Sequence, residues 1–200
     1  MLKQTLIATA ALITAFASAP LSAEETETAI FAGGCFWCVE KDFEHVEGVV
    51  EAVSGYTGGM LPNPTYRNHG KHIEAVKITY NPAKVTYSEL VEIFWRSIDP
   101  TDAGGQFCDR GHSYTTAIFA TSPEQREIAE LSKMKLEVAG TLPAPVVTPI
   151  LDASPWTDAE GYHQDYYKKN PVRYRLYRYG CGRDARIQEL WGDDAHKGIS

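Results

Sequence analysis

Thr28-Ala29-Ile30-Phe31-Ala32-Gly33-Gly34-Cys35-Phe36-Trp37-Cys38-Val39 is a short apolar strand run, broken by two glycines, that passes directly into a helical pattern. Thr28 to Ala32 reads as the strand. Cys35 to Val46 reads as the helix, because Phe36, Val39, Phe43 and Val46 recur at helical spacing, and Gly48 ends it. A cysteine is thereby set at the mouth of a helix. There the macrodipole and the unpaired first-turn N–H groups favour an anion and can draw a thiol from about 8.5 to about 3.5–7.5. With Phe36 and Trp37 next to it, the turn combines a nucleophile with an apolar surface, as a redox or nucleophilic site for an apolar substrate requires. Gly33 and Gly34 let the backbone turn tightly and open the helix mouth to a ligand.

Working outward, Val49 to Tyr56 predicts a second strand closed by Thr57-Gly58-Gly59, and Leu61 to Gly70 a proline- and asparagine-rich loop. Ile73 to Tyr80 alternates as a strand, with Val76, Ile78 and Tyr80 on one face and Glu74 among them. Thr86 and Glu89 form a capping box for a helix carrying Leu90, Ile93, Phe94 and Ile98. A glycine-rich loop from Asp102 to Gly111 leads to a strand from Tyr114 to Ala120. Ser122-Pro123 then caps a helix that Gly140 ends, and Pro145 to Ile150 predicts a further strand. Thr157 to Lys168 reads as a capped helix and Arg183 to Trp191 as a terminal one, with an irregular, mobile tail around Cys181 between them. The order β-α-β-β-α-β, then α-β, predicts an α+β two-layer sandwich with a ferredoxin-like split βαβ core and an irregular C-terminal tail.

The chain has 200 residues, 44% hydrophobic and 22% charged, enough for one domain with a real core. Its formal charge of -7 argues against a nucleic-acid partner. The one basic cluster, Arg173, Arg175 and Arg178 interleaved with Tyr174, Tyr177 and Tyr179, reads as a solvated, tyrosine-packed tail. Residues 1–23 read as an export signal: Lys3, an apolar run from Leu6 to Phe16, and small residues ending Leu21-Ser22-Ala23. Cleavage after Ala23 is expected, since Pro20 hinders the alternative after Ala17-Ser18-Ala19. The apolar run is shorter than the ~20 residues a membrane span needs. The single domain is then 24–200, working in the periplasm or another extracytoplasmic space. All four cysteines, Cys35, Cys38, Cys108 and Cys181, lie in it. Two structural disulfides are one reading of them; another is zinc held by Cys35, Cys38, Cys108 and His112.

Among candidate groups, Cys35 leads. Glu74 is second: if desolvated among its apolar neighbours its pKa rises into the range of a proton donor near neutrality, and if wet at the strand's first turn it does not. Asp109, Tyr66 and Tyr114 lie in or beside loops where catalytic groups concentrate.

Further motifs run in order: Gly55-Tyr56-Thr57-Gly58-Gly59, Asn63-Pro64-Thr65-Tyr66, His72-Ile73-Glu74-Ala75-Val76, Asp109-Arg110-Gly111 with Ser113-Tyr114, and Gly161-Tyr162-His163-Gln164 with Lys169-Asn170-Pro171. Together with Gly33-Gly34-Cys35-Phe36-Trp37, this series resembles the peptide methionine sulfoxide reductase A family from about Ala29 to Pro171. The resemblance implies reduction of the S epimer of methionine sulfoxide, free or in oxidised proteins. It implies Cys35 as nucleophile, Phe36 and Trp37 as the pocket for the sulfoxide methyl, Glu74 as proton donor, and Tyr66, Asp109 and Tyr114 as groups orienting the oxygen. It also implies no bound cofactor or metal and an external thioredoxin-like dithiol reductant. Cys35 would become a sulfenic acid, which a second thiol condenses to a disulfide. Many members have glycine where Cys38 stands here and carry resolving cysteines in the tail. Cys181 fits the tail role and is favoured; Cys38, one helical turn from Cys35, and Cys108 are the other candidates. A thiol-disulfide oxidoreductase using Cys35 and Cys38 as its dithiol is the competing reading of the same turn.

Overall fold

Apolar residues on both faces make Glu27–Gly33 (β1) the middle of the sheet: Ala29 to Gly33 are buried without interruption. Phe31 faces the helices with Ala29, Val76, Ile78 and Phe94, whereas Ile30 and Ala32 join Ile73, Ala75, Ala117 and Phe119 on the opposite face. In this computed structural model the described residues are 25–200, so the expected export segment 1–23 lies outside them. After β1 come α1 (Phe36–Glu44), β2 (Val49–Thr57), β3 (Ile73–Tyr80), α2 (Tyr87–Trp95), β4 (Gly105–Gln106), β5 (Asp109–Arg110), β6 (Thr116–Ala120), α3 (Pro123–Ala139), β7 (Ile150–Asp152), β8 (Thr157–Asp158), α4 (Tyr166–Lys169), α5 (Pro171–Gly180) and α6 (Arg183–Trp191). The main sheet runs β7-β6-β1-β3-β2-β8. Its central four strands, β6-β1-β3-β2, are antiparallel neighbours in the order of a split βαβ core. No described helix is long and apolar enough to cross a membrane.

Local chemistry accounts for the helix ends. The Thr86 hydroxyl accepts from Glu89 N while the Glu89 carboxylate accepts from Thr86 N, a complete capping box. Ser122 caps α3 and Gly140, at φ 62°, ends it.

Four expectations need correction. Pro145 to Ile150 is not a strand: Pro145 and Pro149 offer no N–H to a ladder, and pairing begins only at Ile150, parallel to β6. Thr157 to Lys168 is not one helix: only Tyr166 onward is helical, as α4. Thr157 and Asp158 pair with β2, and the Gln164 side chain continues that edge by accepting from Ser54 N and donating to Ser54 O. Tyr114 belongs to a 3-10 turn, His112–Tyr114, rather than to β6. The tail around Cys181 is helical, because α5 has an inner face to bury: Tyr174 is packed against Cys35 and Cys38, and Arg178 pairs with the buried Asp42. Gly182, at φ 71°, turns the chain from α5 into α6.

Candidate active site

Cys35 is the N-cap of α1, and its carbonyl accepts the Cys38 and Val39 N–H groups that start the helix. Gly34 makes the turn possible. It sits at φ +85°, and a Cβ there would lie 2.6 Å from Gln106 Cβ. The next helix N–H, that of Phe36, donates to Glu74 Oε2 at 3.1 Å, so β3 delivers its carboxyl to the same helix mouth that carries Cys35.

Glu74 is 1% exposed. Burial pushes its carboxyl up to about 8 against the opposing pull of the Phe36 N–H, and the negative charges of Asp109 and Cys38 push the same way as burial. Of the two sequence readings, the desolvated one holds. Tyr66 and Tyr114 lie within the field of Glu74 and hydrogen-bond to each other, their phenols held up first by burial. The Asp109 carboxyl is also raised by burial, while a hydrogen bond from Tyr177 opposes this. Cys35, Glu74, Tyr66, Asp109 and Tyr114 thus converge from five separate segments.

The sulfur chemistry differs from the expectation of a helix-mouth thiolate at Cys35. Cys35 and Cys38 are both free and buried, 5% and 2% exposed, and linked by a hydrogen bond. Burial pushes the Cys35 thiol well up, reinforced by Cys38, whereas Cys38 is brought down to about 7 by the hydrogen bond from Cys35 and by Arg183 and Arg178 nearby. Of the two thiols, Cys38 is therefore the one that ionises first. Cys181 is bonded to Cys108, their Cα atoms 4.9 Å apart. That pairing takes Cys108 out of the alternative zinc set and leaves a disulfide at the foot of α5 that is exposed at Cys108 and half-buried at Cys181.

Phe36 is fully buried against Tyr56 and His163. Trp37 is half-buried, stacked on Tyr166 at 3.7 Å, with Nε1 donating to His163 Nδ1 at 3.0 Å. That bond assigns the proton of the neutral imidazole to Nε2, and burial lowers the His163 pKa. Glu160 holds Tyr66 by accepting its backbone N–H, and also accepts from the Tyr56 hydroxyl.

Sequence reasoning misses His163, Glu160, Tyr166 and Tyr177 as site residues. His163 lies inside one of the ordered motifs, with no role attached to it. Tyr174 and Tyr177 at helical spacing, with Cys181 one turn on, are the available signal that α5 has an inner face.

A family model described as peptide methionine sulfoxide reductase matches residues 27–195. Peptide methionine sulfoxide reductase MsrA 2 of Rhizobium meliloti is 50% identical over 191 residues, 94% of this chain and 96% of that protein. Peptide methionine sulfoxide reductase MsrA of Bacillus subtilis is 53% identical over 173 residues, 84% of this chain and 98% of that protein. Among solved structures, methionine sulfoxide reductase A of Corynebacterium diphtheriae matches with a TM-score of 0.65 and 37% identity, covering 74% of this chain and 76% of that one. A free cysteine and a buried carboxyl at one helix mouth, ordered motifs along the domain and these matches agree: the chain belongs to the peptide methionine sulfoxide reductase A family.

Proposed function

We propose that this chain reduces the S epimer of methionine sulfoxide, free or in oxidised proteins, with Cys35 as nucleophile and Glu74 as acid. The observation that carries the reading is the junction of Phe36 N with Glu74 Oε2, which puts a carboxyl that is neutral below about 8 beside the nucleophilic sulfur. A sulfoxide oxygen leaves only when protonated, and a thiol attacks only once deprotonated; one site must hold both states. Proton transfer from Cys35 to Cys38 leaves the charge on Cys35 for attack. Glu74 protonates the sulfoxide oxygen, methionine leaves, and Cys35 keeps the oxygen as a sulfenic acid.

Cys38, rather than the favoured Cys181, is the first resolving thiol, because it is the one within hydrogen-bond reach of Cys35. Its attack forms Cys35–Cys38 and releases water. Cys181 then exchanges into that disulfide and Cys108 displaces it, leaving Cys108–Cys181 at the surface and two thiols inside. This is the cysteine arrangement described above. An exported thioredoxin-like dithiol completes the cycle, which needs no bound cofactor. The reading places the enzyme in the periplasm or another extracytoplasmic space, after removal of residues 1–23.

The competing use of Cys35 and Cys38 as a general dithiol draws on their hydrogen bond, but it gives no task to the buried Glu74 carboxyl held at the same helix mouth. Turnover of the separated epimers tests the proposal. Cys35→Ser should abolish S-epimer reduction, and wild-type turnover of the R epimer alone would sink it. Insulin reduction without sulfoxide reduction would favour the dithiol reading.

A further inference from the structure

Tyr177 enters the site from α5. Its hydroxyl donates to the Asp109 carboxylate and is hydrogen-bonded with Cys35, and its ring meets Trp37 edge-on at 5.8 Å between centroids. Three of the groups that the proposed reaction assigns to the sulfoxide are therefore already engaged by one phenol. Cys35 beneath it is 5% exposed. Both anchors of Tyr177 are tied by the same disulfide. Cys181 follows one helical turn later, its N–H on the Tyr177 carbonyl at 2.8 Å, and Cys108 precedes Asp109 directly. The Cys181 sulfur itself lies 3.7 Å from Asp109 Oδ2.

Resting on the sulfoxide-reductase reading, we propose that closure of the Cys108–Cys181 bond seats Tyr177 in place of the sulfoxide. A molecule with an oxidised tail then cannot take a second substrate until a dithiol has reopened it. Such a block has a chemical purpose. With the tail oxidised, Cys35 and Cys38 still hold two thiols, enough to reduce one further sulfoxide. The resulting Cys35–Cys38 disulfide would lie buried, with no tail thiol left to carry it to the surface. Occlusion by Tyr177 enforces reduction before rebinding.

Opening follows from thiol-disulfide exchange. A thiolate of the incoming dithiol attacks the exposed Cys108 sulfur, the Cys108–Cys181 bond breaks and Cys181 leaves as a thiolate. The second thiol of the dithiol then frees Cys108, so two electrons enter and the reductant departs as a disulfide. With the bond cut, Cys181 at the end of α5 is no longer tied to the loop that carries Asp109, and Tyr177 is free to leave its seat.

The test is a single turnover without reductant. Wild-type protein carrying the Cys108–Cys181 disulfide is mixed with one equivalent of methionine S-sulfoxide; methionine release is followed and disulfides are mapped by mass spectrometry. If the unblocked state is populated at ~1–10%, wild type releases methionine roughly ten- to a hundredfold more slowly than Tyr177→Ala with the same disulfide intact. Cys108→Ser, reduced and freed of reductant, keeps Tyr177 but loses the tether, and should be correspondingly fast. Equal rates in disulfide-bonded wild type and both variants would overturn the proposal. Reduced wild type supplied with dithiothreitol serves as the control: if it fails to turn over the sulfoxide, the sulfoxide-reductase reading fails instead.

Discussion

Replacing Glu74 by Gln should stabilise the protein at neutral pH and nearly abolish its activity. Glu74 is 1% exposed and its carboxyl is raised from 4.5 to about 8. Between those values the folded chain holds a proton that the unfolded chain has released. Stability therefore falls with rising pH by about 1.4 kcal/mol per unit, about 5 kcal/mol across the whole window, and levels off above the folded value. At pH 7, two and a half units above the ordinary value, holding that proton costs about 3 kcal/mol, which a neutral amide of the same shape avoids. The amide oxygen of the variant can still accept from Phe36 N, so the helix mouth keeps its partner. Without an acid for the leaving oxygen, turnover should drop by roughly 10²–10⁴. Urea denaturation of both proteins at pH 5, 7 and 9, with kcat in parallel, measures both effects. Wild type should lose stability from pH 5 to 8 by the Glu74 contribution, that contribution should be missing from the variant's slope, and wild-type activity should decline as pH passes about 8. A variant that is less stable than wild type at pH 7 with an unchanged pH slope would refute a protonated Glu74.

Two further substitutions probe how the site is held. Gly34→Ala forces a side chain into φ +85° and into contact with Gln106, and should cost about 2–4 kcal/mol in urea denaturation; a loss below about 1 kcal/mol would mean that the turn yields freely. Arg178→Ala leaves the Asp42 carboxylate, itself 1% exposed, without its bidentate partner, and should destabilise by about 3–5 kcal/mol. It should also speed proteolysis within α5, and an unchanged α5 cleavage rate would argue that the ion pair does not hold this helix.

The core of the fold was legible because its strands and helices are locally consistent. Thr28 to Ala32, Val49 to Tyr56 and Ile73 to Tyr80 carry their strand patterns in full, and Thr86 with Glu89 and Ser122 with Gly140 mark helix ends by side-chain chemistry alone. The segment from Pro145 to Cys181 was not, for the opposite reason, although the terminal helix Arg183 to Trp191 was. Gln164 acts as a substitute for strand backbone at the edge of β2, and α5 is helical against α1, so what each piece becomes depends on a surface elsewhere in the chain. In the same way, Cys35, Glu74, Tyr66, Asp109 and Tyr114 could be named from their types and local settings, while His163, Glu160 and Tyr177 act through partners about 70 to 130 residues away.

The Gly33-Gly34-Cys35 turn marks the limit of what linear order dictates. A cysteine at a helix mouth, beside two aromatic residues and followed by ordered motifs, points to the family and to the thiol that the proposed reaction uses, since those properties come from backbone turn chemistry and residue type. Where the charge sits and which sulfurs pair are decided by packing. Burial raises Cys35 and its hydrogen bond lowers Cys38, both effects set by surrounding atoms rather than by the C-x-x-C spacing. Cys108 and Cys181, 73 residues apart, meet only because α5 docks its inner face on α1. Pairing and pKa both depend on distance and solvent access, and folding alone sets those.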